Sequence, residues 1–167
     1  MHSLHFSCIL SFSFALVDSA SAGVFECRLS EPVGKPLQSR GNLSALVLFA
    51  QFAGQGAGDS APSWSADLFN PSKPGSFAHF YNEMSGGLMR VQGRVLPKRY
   101  SALGRAGDYV ASDGGIGRYG QFNLEVLRQA DADSDLGDFD NVGPDGVPNS
   151  GDDDGYVDIV FINLHTV

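Results

Sequence analysis

Ten of this chain's 19 acidic residues fall between positions 131 and 158, and all ten are Asp. No Lys or Arg follows Arg128. Two carboxylates about 7 Å apart in water repel by roughly 0.6 kcal/mol, and ten crowded together repel many times over. Salt screens part of this. The run is interleaved with Gly, Pro and Asn, residues that build turns, so residues 131–158 read as a long acidic loop. A charge run is most often a solvated face. Here the turn residues and the ligand types point instead to a hard divalent cation, which reverses the sign of the repulsion. Calcium takes six to eight oxygen ligands and tolerates irregular geometry, so a flexible loop of Asp, Asn and backbone carbonyls suits it.

The spacing identifies candidate ligands. Asp140-Asn141-Val142-Gly143-Pro144-Asp145-Gly146 places oxygen donors around two glycines. Asp152-Asp153-Asp154-Gly155-Tyr156-Val157-Asp158 repeats the idea, with Gly155 permitting a sharp turn. The expected calcium ligands are Asp140, Asp145, Asp152, Asp154 and Asp158. Asp158 falls inside an apolar strand pattern, where an unpaired charge is costly unless it points to the loop side. The loop is not an EF-hand, because it contains no Glu to serve as the bidentate twelfth ligand.

Outside the loop, the other nine acids face all 11 Lys and Arg, leaving the remainder near +2. No basic patch is clustered, so nucleic acid is not an expected partner. The 167 residues suffice for one ordinary domain. Residues 1–22 resemble a secretory signal: a short apolar stretch from Ile9 to Val17, too short to span a bilayer, then Ala20-Ser21-Ala22 at the cleavage positions. The leading region carries His2 and His5 but no Lys or Arg. The expected location is extracellular, with no membrane span. Cys8 would leave with the signal, so Cys27 would stand alone in the mature chain, either as a free thiol, with a partner elsewhere, or as a small buried residue.

Residues 23–43 read as a leader, marked by Pro32, Gly34, Pro36 and Gly41. Residues 43–52 (LSALVLFAQF) are apolar on both sides, as in a buried strand. Ser76 is placed to cap a helix running to about Ser85, with Phe77, Phe80, Tyr81 and Met84 at helical spacing and Gly86-Gly87 ending it. Residues 88–96 (LMRVQGRVL) alternate as a half-buried strand that Pro97 should end. Residues 100–117 look irregular. A second helix is expected over residues 119–130, and a final strand over 156–164 (YVDIVFINL). Strand, helix, strand, helix, strand predicts an α/β (α+β) layer: a mixed, twisted sheet with supporting helices.

Three of these segments, LSALVLFAQF, SFAHFYNEMSGGLMRVQGRV and FDNVGPDGVPNSGDDDGYVDIVFI, together resemble the immune inhibitor A-type family of secreted zinc metallopeptidases. The likeness covers residues 44–167. Phe80 stands where the family commonly has Tyr, and Gly86 where it commonly has an aromatic. The resemblance implies the N-terminal subdomain of a zincin-like catalytic domain acting on protein or peptide substrates. It also implies a catalytic zinc held by His-Glu-x-x-His, in which helical spacing puts both His on one face and the Glu activates the zinc-bound water. This sequence contains no such motif; its His residues are 2, 5, 79 and 165. The expectation is therefore a domain cut before its zinc helix and inactive alone, with no catalytic residue assigned. His79 and Glu83, four apart, are expected to make an ordinary helix-surface contact. Tyr81, Glu83 and Ser85 are candidates for a buried polar cluster at the helix end. The alternative is a non-enzymatic, calcium-dependent extracellular interaction or adhesion module, which needs only the acidic loop and the export signal.

Overall fold

The computed structural model describes residues 39–112 and 117–165. The expected signal segment 1–22, the expected leader as far as residue 38, and Cys27 lie outside the described residues. Strand β1 (Gly41–Gln51) is followed by a 3₁₀ turn (Ser63–Asp67), helix α1 (Phe77–Met84) and strand β2 (Met89–Ser101). Then come the single turn α2 (Ala106–Tyr109), helix α3 (Tyr119–Asp133), a second 3₁₀ turn (Leu136–Phe139) and strand β3 (Ile159–Leu164). No helix among the described residues is long and apolar enough to cross a membrane.

The sheet runs β2-β1-β3, and both pairings are parallel. The α/β arrangement is as expected. The expected mixture of strand directions is not seen in these three strands; antiparallel character is confined, among the described residues, to the Ser60–Lys98 bridge. Parallel neighbours need long crossovers. The chain moves from β1 out to β2, then back across β1 to β3. Crossovers of one hand then demand helices on opposite faces. On one face, Leu46, Leu48 and Ala50 pack with Phe122, Val126 and Ala130 of α3 and with Leu136 and Phe139. On the other, Phe161 of β3 meets Phe77 of α1 at 4.8 Å between ring centroids, and Phe49 meets Trp64 at 5.6 Å. The central strand is thus covered twice: Leu46, Leu48 and Ala50 are wholly buried on one face, and Val47 and Phe49 are buried on the other. β1 starts at Gly41, so the last leader residues belong to the strand.

Ser76 caps α1 as its sequence indicates, its hydroxyl accepting from the His79 N–H at 3.1 Å. The expected polar cluster does not form, because Glu83 is exposed. Ser85 alone organises that helix end: its Oγ accepts from Met89 N at 2.9 Å, so the stop of α1 is tied to the start of β2.

Pro97 does not end β2. The register jumps from Val47–Val95 to Phe49–Arg99, so β2 bulges where the proline sits and then rejoins β1 as far as Ser101. Among the described residues β2 lies at the edge of the sheet, where a missing N–H is tolerated. The Pro97 carbonyl and the Arg99 N–H still bond outward, to Ala61 N and Asp59 O, both at 2.8 Å. Gly93 is obligatory at its position: a Cβ there would run into the Ala45 carbonyl and lie 2.8 Å from the Phe69 ring.

Residues 103–109 are anchored to α3 by a polar clamp. Glu125 accepts from the buried Tyr109 hydroxyl, from Leu103 N at 3.1 Å and from Gln121 Nε2 at 2.9 Å. Tyr109 Oη in turn accepts from Gly104 N at 2.9 Å. The Tyr109 hydroxyl and its neighbours hold the Glu125 carboxyl below its ordinary range, while burial raises the Tyr109 phenol.

Candidate metal centre

The acidic run divides physically into two parts. Its first part is met by cations from β2: Lys98 Nζ lies 2.9 Å from Asp133, and Arg94 lies 3.3 Å from Asp138. These are exposed pairs of modest worth. Asp131 and Asp133 belong to α3 rather than to the loop. Asp135 caps the following 3₁₀ turn, its carboxylate accepting from Gly137 N at 3.0 Å. The buried Leu136 and Phe139 then pin that turn to the core.

From Asp140 onward the chain has no regular structure until Ile159. It folds back on itself through three residues with positive φ: Gly146 at 64°, Asn149 at 58° and Gly155 at 84°. The left-handed conformation suits Gly and is tolerated by Asn. Asn149 N donates to the Asp140 carbonyl at 3.2 Å, and its side-chain amide reaches Asp135 at 3.3 Å, closing the loop onto its own start.

The five carboxylates named from the sequence do not form one set. Asp140 and Asp158 point inward. Asp140, only 4 % exposed, accepts from Gly155 N at 2.7 Å and from Val142 N at 3.4 Å. Asp158 precedes β3 and accepts from Ser44 N of β1 at 2.9 Å and from Asn141 N at 3.3 Å. It points to the loop side, as its place in an apolar pattern demanded, and it stitches the loop, β1 and the start of β3 together. Burial raises the carboxyl pKa of both. The Gly155 and Val142 N–H groups oppose this at Asp140, and those of Ser44 and Asn141 at Asp158; the charge of Asp154 adds to the rise at each.

Asp145 and Asp152 converge elsewhere, with Asp153. One carboxylate oxygen from each lies within 4.8 Å of the others. Asp152 packs over Gly143, where a Cβ would sit 3.0 Å from its carboxyl carbon. Its carboxyl is held below the ordinary range, chiefly by the Ser150 hydroxyl. Ser150 also donates its N–H to Asp153 Oδ2 at 2.7 Å. Asp154 turns aside and accepts from Tyr156 N at 3.1 Å. Asp153 was missed by spacing, because three consecutive Asp in an irregular loop carry no period that says which way each points. Two buried oxygens in this loop accept no hydrogen bond: Asn141 Oδ1 and Asp153 Oδ1.

The described residues do not fit a zinc site. His79 lies on α1 and His165 just past β3. Among the described residues, the Asp145–Asp152–Asp153 group is the one set of three His, Cys, Asp or Glu side chains that comes together closely enough for a metal, and it contains neither His nor Cys. No protein-family model matches the chain, and comparison with curated proteins gives no match.

Proposed function

We propose that residues 140–158 are a calcium-binding loop in an exported protein, and that residues 44–167 form the N-terminal part of a secreted zinc metallopeptidase domain. The observation that carries the calcium reading is the kind of polar group left over in the loop. The buried side-chain atoms without partners there, Asn141 Oδ1 and Asp153 Oδ1, are both oxygens. Beside Asp153, Asp145 and Asp152 offer further oxygens within 4.8 Å. Surplus acceptors call for a cation, and an all-oxygen set in a turn-rich loop suits calcium better than zinc. Calorimetry on the folded protein tests this. Uptake is expected in the range of extracellular sites, with Kd of about 10⁻⁴ to 10⁻³ M. An absence of heat at millimolar calcium overturns it.

The peptidase reading rests on the resemblance of the three segments. On it, residues 44–167 supply a sheet, supporting helices and the calcium loop, while the zinc ligands belong to a helix beyond residue 167. The 167-residue protein is then expected to show no zinc-dependent, chelator-sensitive proteolysis, and any such activity would refute the assignment.

One observation favours the second reading, a non-enzymatic calcium-dependent interaction module. The described residues bury both faces of β1, Leu46 and Leu48 in the core against α3 and Val47 and Phe49 on the opposite side. A complete module should melt cooperatively as a monomer. A severed half-domain should aggregate or remain partly unfolded, because among the described residues β3 has no strand on its outer side.

A further inference from the structure

We draw no further inference here: the strongest candidate, the outer edge of β3 with the aromatic run from the exposed Phe80 through Tyr81 and Phe77 to Phe161 beside it, is an unpartnered apolar surface, and nothing in the structure shows what covers it.

Discussion

Two carboxylate clamps hold this fold together, and they obey opposite electrostatics. Glu125 fastens residues 103–109 to α3, surrounded by a tyrosine hydroxyl, a glutamine amide, a backbone N–H and the nearby charge of Arg118. Asp158 fastens the acidic loop to β1 with two backbone N–H groups, and the charges that act on it come from Asp140 and Asp154. The first carboxyl is stabilised as an anion and the second is penalised as one. The difference lies first in burial, which raises the Asp158 carboxyl, whereas hydrogen bonds led by the Tyr109 hydroxyl lower that of Glu125; the sign of the neighbouring charges adds to it. A clamp among donors is self-sufficient, whereas a clamp among other carboxylates works against charge that only a proton or a cation removes.

The contrast between the clamps can be broken most directly at Asp158. Asp158→Ala would leave Ser44 N and Asn141 N without their acceptor, with an expected loss of about 2–4 kcal/mol in urea unfolding. Asp158→Asn removes the charge but keeps one acceptor oxygen where Asp158 uses two, for Ser44 N and Asn141 N, so in chelator it should lose one of the two bonds and less than the Ala variant. Equal losses in the two variants would show that charge crowding is unimportant there. At the other clamp, Tyr109→Phe removes the hydroxyl that bonds Glu125 and Gly104 and should cost about 1–2 kcal/mol, unchanged by calcium. Sensitivity of that loss to calcium would couple the two clamps.

Calcium itself should act on one side only. At ten times its Kd it should add about 1.4 kcal/mol of stability by linkage. The paired substitution Asp152→Asn and Asp153→Asn should abolish that gain while leaving the chelator-treated protein close to its original midpoint. Retention of the full gain would place the ion elsewhere.

The smallest expected effect is a difference in pH dependence. The carboxyls of Asp140 and Asp158 are raised above the ordinary 3.8, so the folded state holds their protons more tightly than the unfolded chain. In chelator, their contribution should weaken as pH rises through and above that value. Glu125 is lowered from 4.5, so its contribution is present above that pH and is lost as pH falls below it. Amide exchange followed by NMR between about pH 3 and 6 should therefore show protection at Asn141 and Ser44 changing in the opposite sense to protection at Leu103. Parallel trends would remove the distinction.

Local signals made part of this legible in the sequence. The double-sided apolar run of β1, the Ser76 cap and the Gly155 turn are dictated by residues next to one another in the chain. The direction of Asp158 was legible too, because a charge within an apolar strand pattern has one inexpensive way to face. The extension of β2 past Pro97 was not. It depends on an edge position and on residues 59–61, which lie more than thirty positions earlier. The make-up of the acidic cluster was hidden for a related reason. Which carboxylates converge is decided by positive φ at Gly146, Asn149 and Gly155, and no periodicity in the loop records how those turns add up. Asp140, Asp154 and Asp158 thus looked equivalent to Asp145 and Asp152, and Asp153 looked redundant.

The bulge at Pro97 gives the sheet a direction. On the β2 side, the proline, the Ser60–Lys98 bridge and the charges of Arg90 and Arg94 make a poor template for another strand. On the β3 side, where His165 N bonds back to Ala50 O, the alternation of the strand turns the backbone groups of Val160, Ile162 and Leu164 outward. Among the described residues, any lengthening of this sheet, by more of the same chain or by a misplaced neighbour at high concentration, therefore has one end at which to start, and the acidic loop stands at its threshold.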